Sequence, residues 1–414
     1  MSRLRGNIFS VGALQIVIYM VNFAALPYLT RVLGVNEFGN YALTIAVSQY
    51  AVVVTNWGFW GNAVRKISRE RCDQEYINKL FSATWYAQWL IFMVLLIVSL
   101  VLVYSLNCFG IYFDIRLVLV GAIIVAGSIL LPSWLLQGLE LFKMLSISQI
   151  AARLIALPLY FLFVKSSADL YGAVLVTAFA GWISGLSCLL LVFLRGFVKL
   201  KLVTLSSIFF ELRDGAELLL SQIWIAFYVT LIPVFLGYTS GASEVALFNL
   251  ADKFKTAGTS LMTPISQALF PRMTDLLNTD KKAAYKLFKY SSLILIFIAV
   301  VGGLGMFFLA DWIVYLFGGP DYQSSGILLK MMAPLPLIII LASIISTQIM
   351  LPMGNKRTYT ATYCIAGVIS LLFMWPLMSK FGAVGAVLTM GLVESIVTIL
   401  MAIYFFRFGY KVFK

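Results

Sequence analysis

Histidine is absent from all 414 residues. Without an imidazole there is no Ser–His or Cys–His nucleophile, no histidine general base and few metal-site options. Charge is scarce: Asp, Glu, Lys and Arg make up 11% of the chain, against about 25% in globular domains. Cysteine is scarce too. Cys72, Cys108, Cys188 and Cys364 are isolated, with no CxxC spacing, so they read as packing residues and no disulfide is expected. Large outer loops are also missing. The longest spans roughly residues 311–326, leaving no soluble domain on that side to carry catalysis.

What the chain has instead is apolar sequence, 62% of all residues. A soluble fold of this length has no means of hiding so much, which makes this an all-α, polytopic membrane protein. Arg3 and Arg5 precede an apolar run from Ile8 to Leu29. That run is too long for a signal-peptide core and lacks a small-residue cleavage site, so it is expected to stay as the first span. Apolar segments of spanning length follow at about 8–30, 38–60, 81–106, 117–136, 145–164 and 170–194. After a basic stretch at 195–214 they resume at 215–237, 245–270, 290–310, 327–352, 360–379 and 383–406. Twelve spans are therefore expected.

The net charge of +13 raises the question of a nucleic-acid partner. The placement of the basic residues argues against one. With the N-terminus inside, 22 of the 30 Lys and Arg fall in cytoplasmic segments and 4 (Arg31, Arg116, Lys165, Lys380) outside. This asymmetry is an orientation signal and puts both termini in the cytoplasm. The longer cytoplasmic stretches (61–80, 195–214, 271–289) mix basic and apolar residues, which predicts interfacial amphipathic helices drawn to anionic membrane lipid.

The two halves echo each other across the middle basic stretch. Gln15 matches Gln222, Glu37 matches Glu244, Tyr41 matches Phe248, and Pro27 matches Pro233 one residue out of step. Gly172-Ala-Val-Leu returns as Gly385-Ala-Val-Leu. Six spans per half is an even number, so both halves enter the membrane with the same orientation. The expected domains are 1–200 and 201–414, two six-helix bundles around a central cavity, which is a transporter plan.

The stretch from Glu244 to Arg272 locates that cavity. It reads as one apolar helix, yet Asn249, Asp252, Thr256, Thr259, Thr263 and Ser266 or Gln267 share one face, with Lys253 and Lys255 at its edges. One charge at a bilayer centre costs about 2.5–3.5 kcal/mol. Three within four residues point to a wet cavity or a protein partner. Other stripes join Gln15, Tyr19 and Asn22 in the first span, Thr44, Ser48 and Thr55 in the second, and Ser146, Gln149, Arg153 and Tyr160 in the fifth. The seventh has Glu217, Ser221, Trp224 and Tyr228. Lone Ser, Thr and Gln residues of this kind also serve helix–helix hydrogen bonding. Arg153 lies mid-span, where snorkelling is hardest, so a functional or paired role is expected. Glu394, midway along the last span, is the candidate protonatable carboxyl; its alternative is a structural hydrogen bond. Pro334-Leu-Pro336 is the expected bend of the tenth helix.

The chain resembles the Wzx-type O-antigen flippases of the multidrug/oligosaccharidyl-lipid/polysaccharide exporter superfamily. The similar stretches are Pro27-Tyr-Leu-Thr-Arg-Val-Leu-Gly34 with Glu37-Phe-Gly39, Trp134-Leu-Leu-Gln-Gly-Leu-Glu140, Ala251-Asp-Lys253 and Pro264-Ile-Ser-Gln-Ala-Leu-Phe-Pro-Arg272. Phe317-Gly-Gly-Pro-Asp-Tyr322 and Gln348-Ile-Met-Leu-Pro-Met-Gly354 complete the set. The resemblance implies twelve helices in two bundles. It also implies translocation of undecaprenyl-diphosphate-linked repeat units across the bacterial inner membrane, driven by an ion gradient, with proton or sodium as partner ion. No cofactor is implied, and the protein would work beside a polysaccharide polymerase and chain-length assembly. On this view Arg31, Arg153, Lys253 and Lys255 hold the diphosphate, and Gln15, Trp224, Tyr228 and Asn249 line the cavity. Glu394 and Asp252 serve as coupling carboxylates. The rival expectations are a cation-coupled drug exporter of the same superfamily and a membrane polymerase or glycosyltransferase.

Overall fold

The computed structural model describes residues 2–70, 73–108, 114–260, 269, 272–277 and 279–409. Among the described residues the ordered structure is helical, without strands. The helices are α1 (Ser2–Asn56), α2 (Phe59–Arg69), α3 (Gln74–Cys108), α4 (Ile115–Leu130), α5 (Ser133–Gly138), α6 (Phe142–Phe163) and α7 (Leu170–Leu194). They continue as α8 (Leu205–Val229), α9 (Ile232–Ser240), α10 (Ala242–Ser260), α11 (Lys281–Phe308), α12 (Ala310–Gly318), α13 (Ser325–Met332), α14 (Leu335–Ile345) and α15 (Lys356–Tyr404).

Seven helices among the described residues are long and apolar enough to cross a membrane, against the twelve crossings expected. The difference has physical causes. α15 runs through the expected eleventh and twelfth spans with a non-helical break at Gly382 (φ 55°, ψ −131°). α1 likewise covers the first and second spans with a break at Gly34 (φ 70°, ψ 176°). The expected seventh span is divided between α8 and α9. The eighth carries three charges, and residues 261–268, including Thr263, Ser266 and Gln267 of its polar face, lie outside the described residues.

The chain divides into two compact units. One comprises residues 1–33 and 40–226, the other residues 34–39 and 227–414. In the first, Phe59, Ala63 and Ile67 form the apolar stripe of α2 and are fully buried against Ile77, Phe81, Trp134, Leu135 and Leu136. This corrects the expectation of a lipid-facing helix at 61–80: the apolar side of α2 is spent on protein core, burial worth roughly 1.5–3 kcal/mol per large side chain. The segment after α7 is fastened to α3 by a row of side chains spaced one turn apart. Gln74 Nε2 donates to the Phe197 carbonyl at 2.7 Å. Asn78 Oδ1 accepts from Lys199 N at 2.7 Å, and Ser82 Oγ from Lys201 N at 2.9 Å.

Lys66 of α2 reaches the start of α8, 2.8 Å from Glu211 Oε2 and 2.7 Å from Asp214 Oδ2. Burial opposes its charge, but the hydrogen bonds it donates to the two carboxylates outweigh that and raise its pKa. Lys66 and Asn62 hold the Asp214 carboxyl below its usual range, whereas burial pushes Glu211 up against the pull of Lys66.

The second unit repeats a turn of the first half. Gly241, which precedes α10, takes φ 90° and ψ 172°, close to the conformation at Gly34. Both are left-handed, where a side chain would be strained. Glu244 in the first turn of α10 accepts a hydrogen bond at 2.6 Å from Ala383 N, just past the α15 break. A carboxylate suits those freed amides at a helix start. The tenth-span helix is interrupted at Ala333–Pro334, between α13 and α14, where the Pro334-Leu-Pro336 run predicts a bend.

Candidate functional site

Each unit carries its own polar interior. In the first, Arg153 is half-buried on α6, and its Nη1 donates to Asn22 Oδ1 of α1 at 3.0 Å. Tyr160, Tyr41 and Tyr19 lie within electrostatic reach of the guanidinium. Thr177 Oγ1 donates to the Ala173 carbonyl one turn back at 3.0 Å. Its single proton is thereby used. The hydroxyls of Tyr41 (3.0 Å) and Tyr160 (2.8 Å) therefore both donate to it. Among the described residues, Arg153 has an amide partner and no carboxylate partner. An arginine so placed keeps its positive charge uncompensated, which suits an anion.

The second unit holds a carboxylate–ammonium group. Lys255 Nζ of α10 lies 2.6 Å from Asp252 Oδ1 one turn earlier and 3.2 Å from Met390 Sδ on α15. Thr256 Oγ1 donates to Asp252 Oδ2 at 3.4 Å. Lys255 is also within electrostatic reach of Glu394, which lies one turn beyond Met390 and also senses Tyr363 of the same helix. Tyr363 in turn stacks edge-on with Tyr359, ring centres 4.8 Å apart. The cations of its own helix, Lys356, Arg357 and Lys380, lie fourteen or more residues from Glu394 in sequence; the cation within its electrostatic reach is Lys255 of α10.

The expected site residues thus fall into two groups. Asp252, Lys255 and Glu394 come together in the second unit, and Asn249 and Lys253 are half-buried on the same α10. Arg153 meets Asn22 in the first. Arg31 is exposed on α1, three residues before the Gly34 break, and Trp224 is half-buried on α8. Gln15 lies on α1 and Tyr228 on α8, with side chains outside those described. Thr177, Met390 and Tyr363 were not singled out in the sequence. Thr177 and Met390 are ordinary residues of apolar helices, and only packing gives them partners. Tyr363 had a signal: it falls one turn after Tyr359 in an otherwise apolar span.

The fold defines the class first. The chain superposes on an inward-facing multidrug resistance MATE family transporter of the MOP superfamily with a TM-score of 0.72. The two are 14% identical, and the match covers 97% of this chain and 98% of that one. It superposes on the lipid II flippase MurJ in an inward closed conformation with a TM-score of 0.70, at 15% identity over 96% of this chain and 88% of that one. The fold is that of these membrane transporters. More narrowly, the chain belongs to the polysaccharide biosynthesis protein family, whose sequence profile matches residues 4–277. A candidate O-antigen transporter of Escherichia coli (strain K12) is 29% identical over 97% of this chain and 96% of that protein. One from Shigella dysenteriae is 28% identical over 92% and 95%.

Proposed function

We propose that this protein is a flippase. It moves undecaprenyl-diphosphate-linked O-antigen repeat units from the cytoplasmic to the periplasmic leaflet of the bacterial inner membrane, by alternating access coupled to an ion gradient. The family, the names of the relatives and the transporter fold support the reading. The observation that carries it is Arg153, a half-buried guanidinium held by an amide, with no carboxylate partner among the described residues. A cationic drug gains nothing from such a group, whereas a diphosphate does. In a low-dielectric interior a fixed cation is worth more than in water.

Arg31, Arg153, Lys253 and Lys255 bind the diphosphate, with Gln15, Trp224, Tyr228 and Asn249 around the glycan. Asp252 and Glu394 take up the coupling ion, a proton or sodium, with Lys255 between them. The lipid tail stays in the bilayer. The chain crosses the membrane twelve times, as two six-helix bundles of residues 1–200 and 201–414 around a central cavity, with both termini cytoplasmic. α1 and α15 support this count: 55 and 49 residues are about 80 and 75 Å of helix, more than twice a bilayer core of about 30 Å, and each breaks at a glycine. The products feed a polysaccharide polymerase and chain-length assembly.

Deletion of the gene tests the function. Lipid-linked repeat units accumulate on the cytoplasmic side and surface glycan is lost. Unchanged glycan together with drug sensitivity would point to the exporter reading. Glycan polymerisation by the purified protein would point to the polymerase.

A further inference from the structure

The contact between Arg153 and Asn22 fixes what each side chain still has to offer. A guanidinium only donates, so the Asn22 amide must turn its oxygen toward Arg153 Nη1, 3.0 Å away. The amide nitrogen then points away from the guanidinium, and its N–H groups have no hydrogen-bond partner among the described residues. Arg153 uses one N–H in this contact, and no other hydrogen bond ties its side chain to a described residue. Asn22 is exposed and Arg153 half-buried. Both sit well inside apolar helices, where a polar group open to lipid is costly. The exposed side of the pair therefore faces water or a polar ligand.

The helices that carry the pair are pinned to each other a second time. Further along α1 the Tyr28 hydroxyl donates to the Val164 carbonyl, at the end of α6, at 2.5 Å. Its ring packs on Phe161 of α6, with centres 4.4 Å apart. The two contacts follow the same order along both helices, so this part of α1 and α6 run side by side in the same direction. Tyr160, two turns beyond Arg153 on the same face of α6, is tied through Thr177 to α7. These neighbours hold the pair in place without a carboxylate. Donors fixed in advance lose little freedom when a ligand arrives.

We propose that Asn22 is a second ligand of the diphosphate. Its amide N–H groups join the guanidinium on the phosphate oxygens, while its own oxygen orients Arg153 without neutralising it. The identity of the cargo rests on the flippase reading. An amide does here what aspartate, nearly the same shape, does not. Aspartate accepts from Arg153 equally well, but it has no proton to donate and it cancels the positive charge. The side chain at position 22 thus sets the charge of the cargo: an anion meets donors from two helices, and a cation meets no acceptor that Arg153 does not already hold.

The test uses full-length protein in detergent, with inorganic pyrophosphate as the probe and titration calorimetry as the readout. Asn22→Asp is expected to bind the probe about tenfold more weakly or worse, as Arg153→Gln does, because charge-assisted hydrogen bonds are lost. Its thermal unfolding temperature should stay at or above that of the parent, through the new ion pair with Arg153. Stability kept while binding falls is the mark of a ligand; a residue that only joins two helices keeps both together. Asn22→Gln retains the oxygen and the N–H groups on a longer stem and should recover part of the affinity. Asn22→Leu leaves the charge of Arg153 intact but removes the amide donors, and it too should bind more weakly. Parent-level binding by Asn22→Asp or by Asn22→Leu, or no binding by the parent, would overturn the proposal. Surface glycan display is read alongside in cells. If the flippase reading alone is wrong, the differences in pyrophosphate binding remain and display is the same in every variant.

Discussion

Lys255→Gln removes one member of the pair that organises the second unit's interior. The pair is tight, 2.6 Å, and its side chains keep 11% and 27% of their exposure. Breaking a buried pair by deleting one partner costs about 3–5 kcal/mol, and the partial exposure of Asp252 puts this case near 3 kcal/mol, roughly a 150-fold shift in an equilibrium. The lost ammonium also leaves Glu394 without the cation facing it from α10. Asp252→Asn combined with Lys255→Gln removes both charges together and should return stability to within about 1 kcal/mol of the parent. Stability is read by thermal unfolding in detergent, and function by surface glycan at matched membrane levels. The account expects the single variant to be unstable, and the double variant to be stable but defective, because the cation and carboxylate that act on substrate and ion are gone. Lys255→Arg keeps the charge and should keep part of the activity. A stable double variant with full glycan display would show that the pair only balances itself, and would refute its place in the transport site.

Three further outcomes follow from the same geometry. Glu394→Gln is expected to weaken gradient-driven transport more than binding of lipid-linked substrate; wild-type transport across a range of pH would leave Glu394 as packing. At the α2–α8 cluster, Asp214→Asn should cost about 1 kcal/mol near neutral pH, a small figure because the carboxylate is partly solvent-screened. Its pKa is held low, so that contribution is present above the unfolded-state pKa and fades as pH falls through the folded one. Glu211, pushed up by burial, contributes in the opposite sense, its charge costing stability as pH rises, so Glu211→Gln should be the milder change in melts at pH 7. For topology, an impermeant thiol reagent applied to intact cells should reach Asp321→Cys and miss Lys201→Cys; labelling at 201 would break the twelve-span arrangement.

The all-helical, membrane-spanning character is legible in the sequence because membrane helices announce themselves by apolar length. The Glu37/Glu244 correspondence was visible as a pair of letters. Its neighbours Gly34 and Gly241, at the same half-chain offset, were equally visible. They prove the more telling pair, since both adopt a left-handed turn. Spacing along α10 puts Asp252 and Lys255 one helical turn apart, where side chains are neighbours, and the structure pairs them. It gave no means of seeing that Met390 and Glu394 face that turn, since contacts between distant helices follow from packing. The α2 stripe shows the same limit. Its amphipathic period reads alike for a helix on lipid and one on protein, and only the fully buried Phe59, Ala63 and Ile67 decide between them. The ion cluster of Lys66, Glu211 and Asp214 joins residues over a hundred positions apart, each of which looks like a solvated surface charge in its own loop.

The central claim is translocation of a lipid-linked diphosphate glycan, and the most direct measurement uses purified protein in sealed vesicles. Undecaprenyl-diphosphate oligosaccharide is placed in one leaflet, and its arrival in the other is followed by an impermeant glycan-modifying reagent, with and without an imposed ion gradient. The account predicts movement by the parent protein that is accelerated by the gradient and lost in Arg153→Gln at equal reconstitution. No movement above protein-free vesicles, or movement indifferent to the loss of Arg153, would contradict it.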